Sequence, residues 1–248
     1  MKEVFILGGL RSHIGLKNGI FQFVQPELLG ASVLKDLIKK YEIDKIDEII
    51  CGNAVGTGGN IARLMTLTAG VSNEVPAFTV DMQCASAMMS IDIAFSKVKS
   101  GQCDLIIAGG FESSSLQPMR TYHKNDKRYN PNYTVAQFSP DDNSQNSMLE
   151  GAERVAELYQ IEKADLDFWV KESHKRAKEA REEKILEDII SPINNSTYDE
   201  GIRDKMSQRL LDRMPSILGK ETITNAANSC LINDGASFII ICSKKYLE

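Results

Sequence analysis

One of the five cysteines in this 248-residue sequence stands where a thiol can do chemistry. Cys84 follows an apolar run at 76–80 and precedes an apolar stretch at 85–99. The pattern predicts a strand-to-helix corner with the thiol at the helix N-terminus. Unpaired N–H groups and the positive end of the helix dipole there favour the thiolate, the nucleophilic form. Ala85, Ser86 and Ala87 come next, small enough to leave backbone amides open to a substrate oxygen that gains charge. The alternative is a buried cysteine packing as a small hydrophobe, and the corner by itself does not separate the two. Cys51, Cys103 and Cys242 fall in or beside expected strands and read as core. With Cys230 and no CxxC pair, the set reads as reduced thiols rather than a disulfide frame or zinc site. The histidines are His13 in a turn, His123 in a basic loop and His174 on a charged helix. None is a good candidate for the base that Cys84 needs within hydrogen-bond reach.

The elements that must hold Cys84 alternate in type. Val4 to Gly8, Glu48 to Val55, Pro76 to Val80, Asp104 to Ala108 and Ala236 to Cys242 read as five strands. Between them, Leu28, Ala31, Leu34, Leu37, Ile38 and Tyr41 share one helical face after Pro26. Asn60 is placed to cap a short helix through Leu67, and Gly109-Gly110 to stop the fourth strand. In the helix after Cys84, Met88, Met89, Ile91, Ile93, Ala94, Phe95 and Val98 point nearly all round, so it reads as buried on most sides. Residues 118–145 are polar and turn-rich, with Pro118, Pro131 and Pro140, and two helices follow at about 147–159 and 163–183. The expected organisation is an α/β core of residues 1–117 and 230–248, interrupted by a mainly helical insertion at 118–229.

Composition narrows the function. Lys and Arg total 29 against 34 Asp and Glu, a net charge of -5, so no overall positive field invites nucleic acid. No apolar run is long enough to span a bilayer and no secretory signal is evident, so a cytoplasmic protein without a membrane partner is expected. The glycines at 56–59 miss the dinucleotide fingerprint, which would need glycine at Ile61. The loop 120–128 carries four Lys/Arg against one Asp. It reads as a solvated or oligomer-contacting loop before a phosphate site.

The stretch VPAFTVDMQCASAMMSIDIAF (75–95) resembles the nucleophile segment of the thiolases. Seven more segments are similar to family signatures and keep family order. They are RSHIG (11–15), GNAVGTGGNIAR (52–63), AGGFESSS (108–115), MLEGAERVAE (148–157), ESHKRA (172–177), DEGIR (199–203) and TITNAANSCLINDGAS (222–237). The resemblance covers the whole chain but only the N-terminal half of a thiolase. It implies a mixed, mostly parallel five-stranded sheet with helices, interrupted by a helical loop domain. It implies that Cys84 takes an acyl group as a thioester, with coenzyme A thioesters as donor and acceptor and no covalently bound cofactor. Met148 and the Ser229-Cys230 step match positions that lie against the pantetheine arm. His13 replaces a family proline, Ala87 a common glycine, Ser147 a frequent histidine and Cys230 a serine.

The family's Gly-His-Pro histidine, Asn-Glu-Ala-Phe segment and Cys-x-Gly cysteine have no counterpart here. In the family that histidine activates the nucleophile and the second cysteine moves the substrate proton. The expectation is an acyltransferase of lipid metabolism, making or cleaving acetoacetyl-CoA or 3-ketoacyl-CoA. It would be a truncated chain, a proteolytic half or one subunit of a split enzyme. By itself it would be inactive, acting as a homo-oligomer or paired with a C-terminal thiolase half. The rival expectations are a non-catalytic thiolase-fold binding or scaffold subunit, and another cysteine-based condensing enzyme. The long insertion carrying MLEGAE argues against the last.

Overall fold

The computed structural model describes residues 2–129, 132–134, 137, 139–140, 146–219 and 221–247. Pro131 and residues 141–145 of the turn-rich segment lie outside them. In chain order the strands are β1 (Val4–Ser12), β2 (Gly15–Leu16), β3 (Glu48–Gly52), β4 (Ala77–Val80), β5 (Leu105–Ser113), β6 (Ile190–Ser191) and β7 (Asn233–Ser243). The α-helices are α1 (Pro26–Lys40), α2 (Ile61–Thr68), α3 (Ser86–Ser100), α4 (Ser147–Leu158), α5 (Lys163–Glu182), α6 (Gln208–Leu211) and α7 (Lys244–Leu247). Among the described residues no helix is long and apolar enough to cross a membrane.

The chain packs as two units. The first takes residues up to Pro118, Ile185–Gly201 and the chain from Ile232 onward; the second takes Met119–Lys184 and Ile202–Leu231. Residues 185–201, expected within the insertion, thus pack with the sheet. The reason is long-range strand pairing: Ile190 and Ser191 lie in parallel register with Arg11 and Ser12.

The sheet of the first unit has seven strands rather than five, in the order β4-β3-β5-β7-β1-β6 with β2 on β7. The two extra strands are two residues each, too short to leave a periodic signal. Only β7 runs against the others, antiparallel to β1, β2 and β5, while β3 pairs in parallel with β4 and β5. β5 does not stop at Gly109-Gly110 but continues to Ser113, opposite Asp234.

Side-chain alternation assigns the two faces. Ile49, Cys51, Leu105, Ile107, Phe238 and Ile240 join α1 and α2 in one core. Ile50, Ile106, Ala108 and Ile241 meet Ala94 and Val98 of α3 in the other. Strands buried on both faces read as continuous apolar runs, which is why the central ones are so legible in sequence.

α3 departs from the expectation of all-round burial. Its buried residues are Ser86, Ser90, Ala94 and Val98, one narrow face of small residues, while Met88 is 68% and Phe95 41% exposed. The helix sits close to the sheet because that face is small, and its bulk points away. Asn60 also differs: its side chain does not cap α2 but donates to the Ala77 carbonyl at 3.0 Å, from a left-handed backbone with φ 57°.

In the second unit, α5 shows the expected solvent face. Glu172–Arg176, Lys175–Glu179 and Lys178–Glu182 form ion pairs at i,i+4 spacing. Its N-terminus is closed by a reciprocal capping box between Glu162 and Asp165.

Candidate active site

Cys84 is exposed, in the turn that joins β4 to α3. The turn is built by its neighbours. Gln83 takes the left-handed conformation at φ 54°, a cost of about 1 kcal/mol for a residue with a side chain. Asp81 stabilises that kink by accepting the Gln83 amide at 3.0 Å. The Ser86 hydroxyl accepts the Met82 amide at 2.8 Å and donates to the Gln83 carbonyl at 2.6 Å. The chain is thereby folded back on itself with the thiol outward.

Two amides expected to face a substrate are already used. Ala85 N–H donates to the Met82 carbonyl and Ser86 N–H to the Gln83 carbonyl. The tightness of the turn that presents Cys84 is what consumes them.

Glycines bring α3 up to the strand ends. A Cβ on Gly52 would stand 2.5 Å from the Ala87 amide nitrogen, and one on Gly110 would stand 3.1 Å from the Ala87 Cβ. Ser90, fully buried, accepts the Gly109 amide at 3.0 Å, and its hydroxyl lies 2.9 Å from the Gly109 carbonyl and 2.7 Å from that of Ala87. These contacts place the Cys84 turn beside the C-terminal ends of β3 and β5. In a sheet of this kind the crevice outside those ends is the usual ligand position.

An open cleft of about 430 Å³ lies there, lined by Cys84, Arg11, Asn53, Ala87, Glu112 and Ser237 among others. Its charged groups are committed to structure. Glu112 accepts the Ala54 and Val55 amides at 2.8 and 2.9 Å and the Asn53 side-chain amide at 3.0 Å. Asn53 also donates to the Phe111 carbonyl at 2.8 Å. Arg11 makes a bidentate pair with Asp199, both contacts at 2.9 Å. Burial alone would raise the Asp199 carboxyl, but hydrogen bonds from Arg11 and the Ile14 amide hold it below its ordinary value. Asn53 and Glu112 lie in two separate motif segments, GNAVGTGGNIAR and AGGFESSS, and no spacing in the sequence pairs them.

Among the described residues no histidine lines the cleft. His13 is fully buried against Phe21, ring centroids 4.5 Å apart, with neither ring nitrogen bonded. In the second unit, His174 Nδ1 accepts the Arg203 amide at 3.1 Å.

Met148, Ser229 and Cys230 belong to the second unit. Met148 is the second residue of α4 and is 78% exposed. The Ser229 hydroxyl donates to the Asn225 carbonyl at 2.8 Å, and the exposed Cys230 thiol donates to the Leu231 carbonyl at 3.2 Å.

Comparison with known proteins places these features among relatives. The family described as "Thiolase, N-terminal domain" matches residues 4–245. A putative acetyl-CoA C-acetyltransferase VraB of Staphylococcus aureus strain COL is 32% identical over 253 residues, covering 98% of this chain and 66% of the relative. The protein of the same description from Staphylococcus haemolyticus is 32% identical over 259 residues, with 99% and 66% coverage. The crystal structure of the Bacillus anthracis acetyl-CoA acetyltransferase superposes with a TM-score of 0.84 at 24% identity, over 99% of this chain and 66% of that one. The chain therefore spans just under two thirds of the relatives it matches.

Proposed function

The chain belongs to the thiolase family, matched across its N-terminal domain, and on that footing we propose that it carries an acyl group as a thioester on Cys84 between coenzyme A thioesters. The observation that supports the reading is the exposed Cys84 thiol, held outward by a strained turn at the mouth of a cleft.

In the first half-reaction the Cys84 sulfur attacks the thioester carbonyl of an acyl-CoA. The bond between that carbonyl and the coenzyme A sulfur breaks, and coenzyme A leaves with the proton that Cys84 gave up. In the second, a coenzyme A thiol attacks the acyl-cysteine and regenerates Cys84, or the α-carbon of a second acetyl-CoA does so in condensation. Carrying the acyl group on the Cys84 sulfur splits one difficult step into two easier ones, which is the benefit of covalent catalysis. Met148 and the Ser229-Cys230 step are the proposed contacts to the pantetheine arm. In this reading the proton acceptor for Cys84 and the group that moves the substrate proton are the histidine and the second cysteine of a thiolase C-terminal half.

Incubation of the chain with acetyl-CoA, with and without a C-terminal thiolase half, followed by intact mass measurement tests the reading. An adduct of about 42 Da that disappears in Cys84→Ser is expected, as for one acetyl group held covalently. Binding of coenzyme A with no adduct under either condition would favour a non-catalytic binding or scaffold subunit.

A further inference from the structure

The second unit contains a carboxylate that joins the helix carrying Met148 to the segment carrying Ser229 and Cys230. Glu153 lies on α4, five residues after Met148, about 7.5 Å along the helix axis at 1.5 Å per residue. Its Oε1 accepts the Thr224 amide at 2.6 Å and the Thr224 hydroxyl, and its Oε2 accepts the Ile223 amide at 3.3 Å. All of these donors come from the segment that leads to Ser229 and Cys230.

That segment transmits the grip because it is internally braced. Asn225 is 1% exposed, and its Oδ1 accepts the amides of Ala227 and Asn228 at 2.8 and 3.2 Å. Asn228 returns the contact, accepting the Asn225 amide at 2.8 Å and donating to the Ile223 carbonyl at 2.8 Å. Ser229 closes the turn on the Asn225 carbonyl at 2.8 Å. These bonds link the backbone next to Thr224 to Ser229. At the other end, α4 carries Met148 as a rigid rod.

We propose that Glu153 is a positioning residue that locks the Met148 end of α4 to the Thr222–Cys230 segment, so that both meet the pantetheine arm of coenzyme A as one surface. This rests on the reading of Met148, Ser229 and Cys230 as pantetheine contacts. Burial raises the Glu153 carboxyl, but the Thr224 side-chain bond and the Thr224 and Ile223 amides outweigh it and hold it below its ordinary value. It is charged at neutral pH, and charge-assisted bonds to backbone amides are the strong ones.

Calorimetric titration of the whole 248-residue chain with coenzyme A tests the role. Glu153→Gln removes the charge and replaces one of the two acceptor oxygens with a donor that faces other donors, and coenzyme A is expected to bind roughly tenfold more weakly. Adenosine 3′,5′-bisphosphate, which has no pantetheine, is expected to keep its wild-type affinity in the variant. Thr224→Val removes only the hydroxyl donor and is expected to weaken coenzyme A by about threefold. The double variant should be no worse than Glu153→Gln alone, because both act through one contact. Unchanged coenzyme A affinity in Glu153→Gln or Thr224→Val overturns the role, as does an equal loss for both probes, which marks a merely structural effect. A wild-type chain that does not bind coenzyme A overturns the pantetheine reading itself, and the role with it.

Discussion

Gly52 and Ala87 meet so closely that a methyl group on Gly52 would stand 2.5 Å from the Ala87 amide nitrogen. That approach seats the first turn of α3 on the end of β3 and sets the position of the Cys84 turn. Ser90 reinforces it one helical turn later through the backbone of Gly109. Gly52→Ala has no flexible side chain to push aside, only the backbone of Ser86 and Ala87 and the Ser86 Cβ. Overpacking of this kind costs about 1–3 kcal/mol, and urea unfolding should show that loss. Since α3 must shift, the rate of Cys84 alkylation by iodoacetamide should change as well. An unchanged unfolding midpoint and alkylation rate would refute the close approach.

His13 should make stability depend on pH. Burial lowers its pKa, against the smaller opposing pull of Asp199 and Glu200 and with a contribution from Arg11. The unfolded chain then binds a proton near pH 6.5, before the folded one does. Stability should fall as pH falls below about 6.5 and level off at the lower folded value. His174 is lowered too, by burial and by Arg203, and acts with the same sign. His13→Leu should therefore flatten part of the slope of urea midpoint between about pH 6.5 and 5, a range above most carboxylate titrations. The same slope in the variant would remove His13 as its source.

The outer face of α3 should be sticky. Met88 is 68% exposed and Phe95 41%, and Ile6, opposite Ile241 on the same sheet face, is 67% exposed. Exposed apolar side chains of this size make a surface prone to association where they adjoin one another. The chain is expected to self-associate or to brighten a hydrophobic dye. Met88→Lys with Ile6→Lys should reduce both, at a stability change within about 0.5 kcal/mol for exposed positions. Light scattering that finds a dye-silent monomer in the unmodified chain would sink this expectation.

Much of the core was readable from pattern alone. The central strands are apolar without interruption because both faces are covered, and the helix at 26–40 carries one apolar side. What was misread fails for identifiable reasons. Gly109 and Gly110 look like a strand stop, yet they serve close packing: a Cβ on Gly109 would lie 2.0 Å from the Ser237 carbonyl oxygen. Asn60 has the right chemistry for a cap, but its amide goes to Ala77 on the neighbouring strand. The helix after Cys84 is apolar all round, and composition cannot say which of those sides the first unit itself covers.

Residue types and spacing determined, without coordinates, the alternation of strand and helix and the single cysteine at a corner. These are local properties, written in periodicities of two and about 3.6 residues. Only the tertiary structure decided that residues 185–201 pack with the sheet, that the Ala85 and Ser86 amides are spent on the turn, and that His13 is buried without a partner. Each of these depends on what two distant or oppositely directed groups do when brought together. Burial and hydrogen-bond partnership belong to pairs, and a sequence presents its residues one at a time.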